Sequence, residues 1–181
     1  DNEGIIVSEG IIDSHSLRVG DCYNHLNDDQ RKFLLELKLQ ELEDEGKSLS
    51  DLSEEERSKI ETYEFSEVFA KPCDSPHNNE LVSSSSSLFD FDSYPDAEVF
   101  ENTAVMFCYP SLNRYLGLDD FNETKLDNFL YSRNLGFTYP TPDGWALGGR
   151  KITCYIESSD NIGSFKNFFI EFSLFIPITE L

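Results

Sequence analysis

The sequence predicts an α+β fold, a small mixed or antiparallel sheet carrying several helices. Three observations point there. The predicted strands and helices follow one another in mixed order, without the strand–helix–strand rhythm of a doubly wound sheet. The 181 residues are 39% hydrophobic and include 15 Phe and 8 Tyr, enough for one ordinary domain with a real core. Four cysteines, Cys22, Cys73, Cys108 and Cys154, are widely spread and even in number. That pattern suits two disulfides in an oxidising compartment. None of them forms a C-x-x-C pair, which disfavours a zinc ribbon or a thioredoxin-type site. On the residues alone, all three possible connectivities stay open.

Residues 1–18 read as a polar N-terminal tail or linker, and 19–181 as a single domain. A strand is expected near Leu17–Val19, closed by the turn Gly20-Asp21-Cys22. Residues 28–43 read as a helix capped by Asp28 or Asp29, with Phe33, Leu34, Leu37 and Leu42 as its apolar stripe and Gly46 as its stop. Ser53 to Glu56 is a capping box that opens a second helix running to about Thr62, with Leu52 as the staple residue. Together these make an acidic helical hairpin over 28–62. Tyr63 to Lys71 alternates and reads as a strand. Pro72 to Asn79 reads as a turn, Leu81-Val82 as a short strand, and serines 83–87 as a loop or an edge strand. A helix is expected over 95–116, opening at Pro95, with Phe100, Ala104, Phe107 and Cys108 near one face and a kink or split at Pro110. Another is expected over 123–134, capped by Asn122 and stopped by Gly136. Residues 140–144 read as an irregular loop. Lys151–Ile156 and the Phe-rich Ser164–Ile176 read as the last two strands, the latter a possible pairing edge.

Charge excludes some functions. With 35 acidic against 14 basic Lys and Arg residues, the net charge is −21. Such a chain repels nucleic acid and anionic membranes, and no basic patch exists to hold phosphates. No stretch of about 18 apolar residues occurs, so any membrane tie would run through an anchor outside this chain. The chain starts at Asp1 without a signal-peptide pattern and reads as a mature or trimmed piece.

Few residue groups suggest chemistry. Asp74, Ser75 and His77 place an acid, a hydroxyl and an imidazole together. Residues two or three apart in a turn rarely converge as a hydrolytic triad needs, and no G-x-S-x-G elbow occurs. Asp90, Asp92 and Asp96, with Asp119 and Asp120, offer oxygen ligands but lack EF-hand spacing. His15 and His25 are isolated. Trp145, in a Pro/Gly loop ahead of Gly148, Gly149 and Arg150, is either a ligand platform or a plug at the edge of the core, with Arg150 paired to an acid. No catalytic residue, metal ligand set or cofactor is assigned.

These residues also carry a resemblance. Val19-Gly20-Asp21-Cys22, Pro72-Cys73-Asp74-Ser75-Pro76-His77 with Glu80-Leu81, and Tyr94-Pro95 come in that order. Cys108 in a helix follows, then Pro142, Trp145, Gly148, Arg150 and Cys154, and finally Gly163-Ser164. The chain resembles the septum formation domain family of actinobacterial cell-envelope proteins over residues 19–164. Two departures stand out: the hairpin at 28–62 looks like an insertion, and Gly149 stands where the family pattern has an acid. The resemblance implies pairings Cys22–Cys73 and Cys108–Cys154, an exported or anchored protein, and no established reaction. The expected function is a non-catalytic extracytoplasmic interaction domain linked to septum or envelope processes, with His77, Asp74, Trp145 and Arg150 as binding residues and an envelope or protein partner. A secreted hydrolase centred on His77 and a purely structural domain are the alternatives.

Overall fold

The computed structural model describes residues 6, 8–61, 66–89, 92–118, 122–161 and 163–169. Six strands form one antiparallel sheet: β1 Gly10–Asp13, β2 Cys22–Asn24, β3 Glu67–Lys71, β4 His77–Ser85, β5 Asn134–Thr138 and β6 Ile152–Asn161. Their order across the sheet is β1-β3-β2-β4-β6-β5. Five helices accompany them: α1 Asp28–Asp44, α2 Glu54–Glu61, α3 Ala97–Tyr115, α4 Glu123–Leu130 and α5 Pro142–Ala146. Disulfides join Cys22 to Cys73 and Cys108 to Cys154. The fold is therefore α+β, with the pairing that the resemblance implies.

The core forms where α3 lies on the sheet. Phe100, Ala104, Cys108, Leu112 and Tyr115 recur every three or four residues and so share one face of α3. That face packs with Val82 of β4 and with Ile152, Cys154 and Ile156 of β6. Leu81 is the neighbour of Val82 on β4 and points to the opposite side, into a smaller cluster with Leu17, Tyr23 and Val68. Cys108 and Cys154 are fully buried, so their bond ties α3 to β6 through the main core.

Local chemistry sets the ends of the helices. Asn27, not Asp28 or Asp29, caps α1, and it exchanges hydrogen bonds with Gln30 as a capping box. The box at Ser53 and Glu56 forms as expected. Asp96 caps α3, so the helix starts after Pro95, and Pro110 sits within it without ending it. Asn122 caps α4, which ends at Leu130, and Gly136 falls in β5 instead of stopping a helix. Thr141 caps a short α5 in the expected loop, donated to by the Gly144 N–H.

Two expected strands are corrected. Leu17–Val19 is not a strand, because the Arg18 N–H donates to the Asp21 carboxylate and Gly20 takes a φ of +95°, closing a turn there. The edge strand is β1, inside the expected tail, paired with β3. Ser164–Phe169 is no strand either, and the rest of that expected strand lies outside the described residues. Phe165, Phe168 and Phe169 are spaced for one helical face and gather against Phe129 of α4 instead of alternating. Phe165 is buried, so this stretch presents no pairing edge. Residues 63–65 of the expected strand at Tyr63–Lys71 also lie outside the described residues.

Among the described residues no helix is long and apolar enough to cross a membrane. The two disulfides are consistent with a protein outside the cytoplasm. The sequence separations of the bonds are 51 and 46 residues. In the chain-entropy account, each closure contributes about 4 kcal/mol. Peptide mapping without reductant should recover both pairs, and full reduction should lower the melting temperature sharply. An unchanged melting temperature with both bonds verified as open would contradict the scaffold role given to them.

Candidate functional site

The most organised polar cluster lies where three distant segments meet. In the register of β2 and β4, Cys22 stands directly opposite Glu80. Glu80 is fully buried. Its carboxylate accepts hydrogen bonds from the Tyr115 hydroxyl at the end of α3 and from the Ser164 hydroxyl. The Phe165 N–H donates to its other oxygen at 2.8 Å. A buried carboxylate without donors would cost several kcal/mol, and three donors offset that cost. The same environment holds the Tyr115 phenol protonated. Burial, then the neighbouring Glu80 charge, push its pKa well above the usual phenol value.

The Gly20-Asp21-Cys22 turn docks beside this group. Gly20 N–H donates to the Leu81 carbonyl, and Leu81 N–H returns to the Asp21 carbonyl at 3.0 Å. Asp21 is nearly buried, and its carboxylate accepts the Arg18 N–H at 2.7 Å. Burial raises the Asp21 pKa, and the Arg18 N–H opposes that rise only partly. Cys73 closes the cluster through its bond to Cys22.

His77 begins β4 and is 1% exposed. Its Nδ1 bonds the main-chain oxygen of Ser75 at 2.8 Å, not the Ser75 hydroxyl, so the ring fixes the turn before the strand. Asp74 is exposed on that turn. A hydrolytic triad needs acid, imidazole and hydroxyl to converge, and the Nδ1 bond to a carbonyl does not supply that. Cys22 Sγ, a His77 ring nitrogen and a Glu80 oxygen lie within 4.8 Å of one another. Metal binding there needs a thiolate, and the Cys22 sulfur is covalently held by Cys73.

Trp145 and Arg150 come together far from this cluster, at the other end of α3. Trp145 is 3% exposed and sits edge-on to Phe89, Tyr94 and Phe100. Its indole N–H donates to the Asp92 carbonyl at 3.2 Å. The Arg150 guanidinium lies 3.6 Å from the Trp145 ring centroid and donates to the Trp145 and Gly149 carbonyls. Where the sequence expects an acid beside Arg150, these contacts are a ring and two carbonyls. A Cβ at Gly149 would stand 2.8 Å from the Gly144 carbonyl oxygen, so the acid of the family pattern does not fit this loop. His77 and Asp74 thus belong to one turn and Trp145 and Arg150 to another.

The remaining candidates are placed singly. Asp96 caps α3, and His15 pairs with Asp13 on the surface. His25 is exposed, beside Tyr23. Asp90, Asp119 and Asp120 lie outside the described residues. The sequence reading missed Tyr115 and the role of Glu80. A legible signal was there: Glu80 directly precedes Leu81-Val82, an acid at the head of an apolar strand. Tyr115, 35 residues later, gave none.

No family model, curated protein or solved structure matches the chain.

Two substitutions test the cluster. Glu80→Ala strands three donors and should lower the unfolding free energy by about 3 kcal/mol. Glu80→Gln keeps an acceptor but turns an amide toward the donors, so its loss should be smaller. Urea unfolding of the oxidised proteins reads both, and losses under about 0.5 kcal/mol for each would remove the cluster from its central role. Asp21 gives a pH signature. Its folded pKa lies above its unfolded value of about 4, so between the two the folded state holds a proton the unfolded chain has released. Stability should therefore fall as pH rises through that window. Asp21→Asn, whose oxygen still accepts the Arg18 N–H, should gain on the native protein over the same rise. Parallel pH–stability curves for the two proteins would refute the raised pKa.

Proposed function

We propose that this chain is a non-catalytic, extracytoplasmic interaction domain serving septum or envelope processes, as the family it resembles suggests. The observation that carries the reading is the arm formed by α1 and α2. Among the described residues, neither core cluster draws a side chain from residues 28–61. In α1 only Leu34 is buried, while Phe33, Leu37 and Leu39 are 52%, 43% and 37% exposed. A helix with apolar residues around much of its circumference is normally covered. Among the described residues nothing covers Phe33, Leu37 and Leu39, which supports a partner as their cover.

Other features support the reading. The sequence motifs at His77, Trp145 and Arg150 are committed to the scaffold, which argues against a hydrolase centred on His77. The paired cysteines suit an oxidising compartment. Asp74, exposed on the His77 turn, remains available as a peripheral contact.

The test is sedimentation of labelled, oxidised protein with isolated actinobacterial cell envelopes. The native protein should co-sediment. A triple variant, Phe33→Ser with Leu37→Ser and Leu39→Ser, should be left in the supernatant while melting at the native temperature. Envelopes that fail to retain the native protein, or that retain the triple variant equally, would defeat the proposal.

A further inference from the structure

The arm carries a groove of about 260 Å³ between its two helices. Leu42 of α1, Leu52 of the connecting turn and Ile60 of α2 line it, each half-buried. Glu41, Glu45 and Glu56 also line it, with Lys38 as the one cation among the lining residues. Lys38 is already paired to Glu41 at 3.2 Å.

We infer that this groove binds an amphipathic helix of a partner, with Leu or Ile on its inner face and Lys or Arg along both flanks. This rests on the interaction reading above and names the partner's chemistry. A groove lined by two helices and the segment that joins them can take a third helix, as in helix-in-groove recognition. Leu42, Leu52 and Ile60 would receive its apolar side chains. Glu41 and Glu45 are paired to Lys38 and Lys47, and Glu56 accepts from Ser53. The flanking charge therefore comes from the excess of the arm as a whole, twelve acids against six bases between residues 28 and 61. A second copy of this chain is disfavoured as occupant, because it would bring another net charge of −21 to the same face. The groove is also smaller than the ~300–1,000 Å³ of a small-molecule site, which suits a few inserted side chains.

The probe is a fluorescent peptide of about 14 residues built of Leu and Lys in a helical amphipathic pattern, long enough for an isolated helix to begin to hold. Controls are a scrambled version and a Leu/Glu version. Fluorescence anisotropy with the full oxidised chain should show saturable binding of the Leu/Lys peptide alone, weakening with added salt. Ile60→Ala, which trims the floor, should weaken it several-fold. The double substitution Glu41→Lys with Glu45→Lys changes only exposed rim groups. It should weaken the Leu/Lys peptide about tenfold or more and admit the Leu/Glu peptide, a gain that misfolding cannot produce. Equal binding of all three peptides, no binding of the Leu/Lys peptide, or rim variants that bind as the native chain does would each overturn the inference. If the inference fails while the envelope result above holds, the arm engages its partner through Phe33, Leu37 and Leu39 instead. If the native chain ignores envelopes altogether, the interaction reading itself falls.

Discussion

The buried carboxylate of Glu80 is the constraint on which the rest of the architecture depends. It sits in β4, one of the two central strands of the sheet, opposite Cys22, and its partners come from the end of α3 and from the return after β6. None of these donors is near it in sequence. Until α3 and the segment at Ser164 are in place, the carboxylate must keep its water or lose free energy. The group therefore couples three distant segments into one event. The Gly163 N–H bond to the Cys73 carbonyl, and the Asn167 and Phe169 N–H bonds to the Tyr115 and Leu116 carbonyls, then follow from the same docking.

The two disulfides hold different parts of this arrangement. Cys22–Cys73 borders the polar cluster and pins the Gly20 turn, with Cys73 Sγ 3.4 Å from the Gly20 carbonyl oxygen. Cys108–Cys154 runs through apolar packing and fixes α3 to β6. At the far end of α3 the work is done by rings. Phe100 stacks on Tyr139 at 4.4 Å and meets Trp145 edge-on, while Arg150 covers the indole face. Polar satisfaction thus anchors one end of the helix and aromatic packing the other.

What was legible in the sequence was what local chemistry decides. The α+β class, the capping box at Ser53 and Glu56, the Asn122 cap and the face Phe100-Ala104-Cys108 all depend on residues within a turn or two of each other. The errors have tertiary causes. Ser164–Phe169 looks like a strand because phenylalanine favours strands. Glu80 instead captures Ser164 and the Phe165 N–H, Asn167 turns to a φ of +61°, and Phe129 draws the rings together. β1 was invisible because Gly10–Asp13 is too short to show a pattern until β3 pairs with it. Trp145 and Arg150 were seen as a unit, but their true partners, the Asp92 carbonyl and the aromatic box, lie too far along the chain for spacing to reveal.

The contrast between core and arm bears most directly on function. The domain buries its Trp and three of its four cysteines, so the sequence can bury what it needs to bury. The same chain places Phe33, Leu37 and Leu39 on α1 where the described residues leave them exposed. Simple solubility does not explain such an arm, since the glutamates alone would serve that end and the exposed Phe and Leu work against it. High negative charge resolves the conflict: it keeps an apolar surface from meeting copies of itself while leaving it open to a surface of opposite charge. An arm that is both greasy and acidic is therefore selective before any shape is considered, and its preference runs toward apolar partners that carry positive charge.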